Sequence, residues 1–336
     1  MVNLAGSSRR NPLLDHWKLL LIFLVVLGHI IPGHPILFAA IYTFHMPAFI
    51  FLLGMNSRPK PSWKSQAEIA VLLAVFQGLY FVTMKATGWP TGRWWTEPAF
   101  IMWFYLSVLI WRQALDPLLR TRWPMSLSIF AALVAGLLPV GTDFSGSRTL
   151  VFLPFFIAGH LYGRRVAHWA QQASALWIRS GVALVGCGLA FGCSLLVQGH
   201  TVLLEGKLSY SAMDFGPLHG LLYRASALLV GAAVSLCFFV AASSPSRWAD
   251  YGRNTRSIFL LHGLVAIPLV VWMETQPSLG PRLFVVSVAT AFLMVTLLSQ
   301  GFIAQAFEWA LQPVAYLFPD RLIAKPRVTV PGSTRR

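Results

Sequence analysis

Ten apolar windows alternate with short polar joints along the chain, each approaching the roughly 30 Å thickness of a bilayer's hydrocarbon core. They cover residues 13–32, 35–55, 66–84, 98–113, 124–141, 148–163, 177–197, 221–243, 257–274 and 283–305. Each predicts a helix, because a backbone in hydrocarbon must satisfy its hydrogen bonds internally. The expected fold is therefore an all-α integral membrane protein of about ten transmembrane helices. Residues 1–325 form one transmembrane domain, and 326–336, rich in Pro, Gly, Ser, Thr and Arg, a disordered basic tail.

The polar positions that interrupt this pattern carry most of its information. Between Lys18 and His29 all ten residues are apolar or glycine. Eleven helical steps make about three turns and about 16 Å, so both side chains share one face. A lysine at mid-bilayer costs roughly 2.5 to 3.5 kcal/mol, so such groups face a protein interior or a wet cavity. The first helix is read as one wall of a reaction chamber. The alternative for Lys18 is snorkelling to the interface beside Asp15. Two windows are short: 15 residues separate Arg148 from Arg164 and 14 separate Glu97 from Arg112. Fifteen helical residues reach only about 22 Å, so Arg148 either snorkels outward or is held at membrane depth.

Composition agrees with this pattern. Of 336 residues 56% are hydrophobic and 11% charged, with a mean hydropathy of +0.65, whereas a soluble domain carries about 25% charged residues. The net charge of +15 raises nucleic acid as a partner, but basic residues interleaved between long apolar runs fit the positive-inside rule instead. With both termini cytoplasmic, 20 of the 26 Lys and Arg residues fall on the cytoplasmic side. This predicts a multi-pass protein of the inner (plasma) membrane. Arg9 and Arg10 precede the first apolar run as in a signal peptide, but His29-Ile-Ile-Pro32 offers no small-residue cleavage site, so that helix is expected to stay. Cys187, Cys193 and Cys237 lie unpaired in apolar segments, which points to neither a disulfide framework nor a metal site. Trp89 to Trp95 and Trp309 read as interfacial anchors, and the outer segment 198–220 as a candidate lid or acceptor-binding loop.

The first two helices, joined by a tight turn, are antiparallel neighbours, so His29 and His45 can reach one cavity. Pro47 removes a backbone donor and should bend the second helix beside His45. A lone histidine can also be a structural hydrogen-bond partner.

Four stretches together resemble the acyltransferase family 3 of bacterial membrane proteins, and within it the fucose 4-O-acetylase-like branch. They are Leu14-Asp15 with Lys18-x10-His29, Phe44-His45-Met46-Pro47-x-Phe49-x-Phe51-x-x-Gly54, Arg148-x-Leu-x-Phe-Leu-Pro154-Phe-Phe-x-x-Gly159, and Gly252-Arg-Asn-x-x-Ser257-Ile-Phe-Leu-Leu-His262. The resemblance implies transfer of an acetyl group from acetyl-CoA, without a metal, to a hydroxyl of a surface or exported glycan or its lipid-linked precursor. It departs from the family at Lys18, where arginine is common, and at Leu53, where a small residue is common. On this resemblance His29 matches the catalytic histidine and would be general base, with an acetyl-imidazole intermediate as a variant. Lys18 would hold the diphosphate of CoA, and His45 and Arg148 would complete the catalytic set, Arg148 as a second cation on the outer side. His262 would serve structure or donor binding, and His160 structure. The rival reading is a transporter or flippase for a lipid-linked glycan. Proton-coupled transport needs membrane-buried carboxylates, and all eleven acidic residues fall at or near window ends. A non-catalytic scaffold would leave Lys18 and His29 without purpose.

Overall fold

The computed structural model describes residues 11–139, 141–173, 175–197, 201–276 and 282–310. Both termini, the tail 326–336 and residues 198–200 of the segment 198–220 lie outside the described residues. The chain forms α1 (Pro12–His29), α2 (Pro35–Met55), α3 (Trp63–Thr87), α4 (Met102–Leu119), α5 (Pro124–Val134), α6 (Gly146–Gln172), α7 (Leu176–Leu196), α8 (Pro217–Ala241), α9 (Thr255–Glu274), α10 (Leu283–Leu298) and α11 (Gly301–Ala310). Single 3-10 turns sit at Asp143–Ser145, Thr201–Glu205, Ser211–Met213 and Ala249–Asn254. No strand occurs among the described residues.

Local chemistry accounts for the helix ends. Asn11 caps α1 by accepting from the Leu13 amide, and Pro12 fills the first helical position, where no amide partner is needed. Gly88 closes α3 in the left-handed conformation, φ 72°, that a β-carbon disfavours.

Among the described residues six helices are long and apolar enough to cross a membrane: α1, α2, α3, α7, α8 and α9, the last counted with its preceding turn. A seventh is added if α10 and residues 301–307, bent by 66° at the break, act as one span. The expected ten windows all carry helix, but their edges shift. The 98–113 window starts four residues later and runs to Leu119, while the 148–163 window extends to Gln172, past Arg164 and Arg165. The 124–141 window holds only the 11 helical residues of α5, about 16 Å of rise. Its freed carbonyls are taken up within the protein: the Tyr210 amide donates to Gly136 O at 2.6 Å and the Tyr210 hydroxyl to Leu133 O at 2.7 Å.

Burial separates an inner layer from an outer one. In the most apolar stretches of α1, α2 and α9, 56% of residues are buried, against 17% in α7 and 22% in α3. The helix that is greasy all round but poorly covered must meet lipid; the well-covered helices form the centre. α1 packs on α2, α9 and α10, and α2 packs on α6, α7 and α8. The α2–α6 seam is close. A β-carbon on Gly54 would overlap the Phe156 carbonyl, and one on Gly159 the Phe51 carbonyl. Both glycines belong to the motifs noted above, and here they let two backbones touch, as small residues do where membrane helices associate. Gly159→Val should therefore cost about 1 to 3 kcal/mol by overpacking. It should lower the unfolding temperature in detergent; an unchanged value would mean that the seam tolerates a side chain.

Candidate active site

α1 and α9 are flanked by two cavities. The larger, about 420 Å³, is lined by His29, Tyr42, His45, Trp103, Arg148 and Glu205 among others. The second, about 400 Å³, is lined by Lys18, Phe49, Asn56, Phe104, Thr255 and Arg256 with neighbouring apolar groups. Phe259, on α9, lines both. Its ring lies 5.0 Å from Phe104 and 6.1 Å from Phe49, so an aromatic cluster forms the partition.

The structure thus brings together His29, His45 and Arg148, and places Lys18 in the adjoining cavity. His29 ends α1 and makes no hydrogen bond to any described residue. Phe100 lies 4.6 Å from its ring and Tyr42 6.4 Å, edge-on. His45 is buried at 2% exposure, and its Nδ1 sits 2.8 Å from Ile41 O. A carbonyl only accepts, so Nδ1 carries the proton and Nε2 keeps the lone pair. His262 lines neither cavity, but its ring centre lies 5.5 Å from that of His29.

Arg148, in the first turn of α6, is held inside the chamber rather than reaching outward. Its Nη2 donates to Glu205 Oε2 at 3.0 Å, its Nε to Glu205 O at 3.2 Å, and its guanidinium lies 4.9 Å from the Trp103 ring. Glu205 is shared with Lys207 at 2.8 Å. The 3-10 turn Thr201–Glu205 therefore closes one wall of the chamber, in the loop expected to serve as lid or acceptor contact. Lys18 pairs with Asp15 at 3.2 Å, and Arg256 with Glu68 at 2.6 Å. Both cations line the second cavity, which has the charge to receive an anion while each carries a partner. Glu274, at the rim of the larger cavity, is exposed.

Sequence reasoning passed over Tyr42, Phe100, Trp103, Glu205, Phe259 and Arg256. Tyr42 had a usable signal, since it stands one turn before His45. Phe100 had none: its backbone is left-handed at φ 49°, an unfavourable state for a bulky residue. Gln77 on α3 holds the loop that precedes it. That side chain accepts from the Ala99 amide at 2.8 Å and donates to Trp94 O and Glu97 O, clamping the loop that aims Phe100 at His29.

A family model described as an acyltransferase domain matches residues 11–301. That stretch contains every residue lining the two cavities. No curated protein and no solved structure matches the chain.

Proposed function

We propose that this chain, which belongs to acyltransferase family 3, moves an acetyl group from acetyl-CoA to a hydroxyl of a surface or exported glycan or its lipid-linked precursor. The observation that carries the reading is the pair of cavities meeting at Phe259, one with two imidazoles and a held arginine, the other with Lys18 and Arg256. The first suits acyl transfer and the second a diphosphate.

In this reading ten segments cross the inner membrane, α5 together with the residues after it, and both termini are cytoplasmic. The charge sorting and the exposed tryptophans Trp63, Trp94, Trp95, Trp123, Trp177 and Trp248, all near segment ends, support it. The Lys18 cavity then opens toward the cytoplasm, where acetyl-CoA is made. The His29 chamber lies toward the outside, where the acceptor waits.

The chemistry follows from those placements. The acceptor oxygen attacks the thioester carbonyl while His29 takes the hydroxyl proton; the C–S bond breaks, and the proton passes to the departing thiolate to give free CoA. Arg148 lines this chamber and offers its cation to the developing oxyanion, with Glu205 and Trp103 fixing its position. The His45 Nε2 lone pair faces the same chamber and accepts a hydrogen bond from an acceptor hydroxyl. Mass spectrometry of surface polysaccharide and lipid-linked intermediates, with and without the gene, tests the reading. Loss of one acetyl unit is expected; identical masses would reject it.

Lys18 touches only the non-reacting end of the donor, so Lys18→Ala should act on binding. The apparent KM for acetyl-CoA should rise about tenfold, equivalent to roughly 1.4 kcal/mol, with kcat nearly unchanged. Lys18→Arg should retain activity. An unchanged KM in vesicles supplied with acetyl-CoA on the cytoplasmic face would reduce Lys18 to an anchor paired with Asp15.

A further inference from the structure

His262 is fully buried on α9, and one of its nitrogens is already committed. Nδ1 lies 2.8 Å from Phe259 O and 3.1 Å from Ile258 O. Both are carbonyls, so Nδ1 must donate, and the neutral ring keeps its lone pair on Nε2. That Nε2 is buried with no partner among the described residues. An acceptor left bare in an apolar site costs about 1 to 3 kcal/mol. Around the ring stand Phe100 at 6.3 Å and Phe259 at 5.9 Å, which offer no hydrogen bond, and His29 at 5.5 Å. The His29 imidazole is the polar ring within reach.

His29 has the complementary deficiency. With no hydrogen bond to any described residue, nothing else in the described structure selects which of its nitrogens bears the proton. A histidine acts as a base only through the nitrogen lacking one, and the partner of the other nitrogen chooses the tautomer. We infer that His262 is the positioning residue for His29: its Nε2 accepts the N–H of the His29 nitrogen facing α9, which leaves the lone pair of the other nitrogen toward the chamber. Two imidazoles joined by an N–H···N bond of about 3 Å have centres about 5 Å apart. The observed centre separation of 5.5 Å is within about 0.5 Å of that. Such bonds are commonly long before substrate binds and tighten afterwards. His45 needs no such partner, because the Ile41 carbonyl sets its tautomer. A motif histidine lining neither cavity thus acquires a role through its neighbour, and donor contact is not required of it. The inference rests on His29 being the base, but its primary test does not.

That test is solid-state nitrogen NMR of protein carrying 15N-histidine in bilayers, with the His29 signals assigned by their loss in His29→Asn. The wild-type protein should show one neutral His29 tautomer. His262→Leu should show a mixture of both. His262→Gln, whose side-chain carbonyl accepts near the same place, should restore the single form. The other histidine signals report whether each variant is folded. A tautomer mixture in the wild type, or a single unchanged form in His262→Leu, overturns the proposal. Activity gives the second arm: His262→Leu should lower kcat about tenfold with KM for acetyl-CoA unchanged, and His262→Gln should recover it. A KM effect without a kcat effect would return His262 to the donor site. If the wild-type protein transfers no acetyl group, the function falls while the NMR result still decides the tautomer.

Discussion

Replacing His29 by alanine is expected to remove about 10²- to 10⁴-fold of the transfer rate, the usual contribution of a positioned general base, while the protein stays inserted and folded. The expected severity comes from what surrounds the ring. Phe100 and Tyr42 shield it, and losing the hydrogen bond inferred to His262 leaves one bare acceptor, a cost of about 1 to 3 kcal/mol that is small against a total stability of about 5 to 15 kcal/mol. His45→Ala is the necessary comparison, because its free Nε2 also faces the chamber. It should weaken acceptor use and lower the rate less, since its imidazole is more enclosed and tied back to its own helix. Counting O-acetyl groups released by mild base from envelope glycans of complemented deletion cells measures both variants. The order reversed, with His29→Ala near wild type and His45→Ala inactive at equal protein abundance, would move the base to α2.

How much of this was readable before the structure depends on where each constraint originates. Lys18, His29, His45 and Arg148 stood out because hydrocarbon makes a polar side chain expensive, so its presence in an apolar run is already a statement about its surroundings. The same contrast marked the helices. It failed where the controlling contact comes from elsewhere in the chain. The start of α4 is displaced because Gln77, on another helix, holds the preceding loop. Arg148 was undecided between snorkelling and burial, because the Glu205 that holds it is 57 residues away. Arg256 looked like an ordinary cytoplasmic charge until the fold put it beside Lys18. Phe259 stood in the fourth motif but drew no role, since composition does not tell a phenylalanine that faces a cavity from those that face lipid.

Phe259→Trp is expected to block transfer without abolishing donor binding. In the proposed reading the CoA diphosphate sits by Lys18 and Arg256, and the thioester reaches His29 about 16 Å along α1. Phe259 lines both cavities, and its ring meets Phe104 and Phe49 where the pantetheine arm must pass. A larger ring in that partition keeps the thioester short of the base, and a displacement of about 1 Å can cost about 10²-fold. CoA binding, measured by calorimetry on the detergent-solubilised protein, should change little, because Lys18 and Arg256, which hold the diphosphate in this reading, are unchanged. Phe259→Ala should do the opposite: transfer persists, but water entering through the widened partition should raise acetyl-CoA hydrolysis in the absence of acceptor. Truncating a buried phenylalanine also costs about 3 to 5 kcal/mol of stability, so the alanine variant must be compared at temperatures where it remains folded. Wild-type transfer by Phe259→Trp would show that the donor reaches His29 by a route that does not pass this ring.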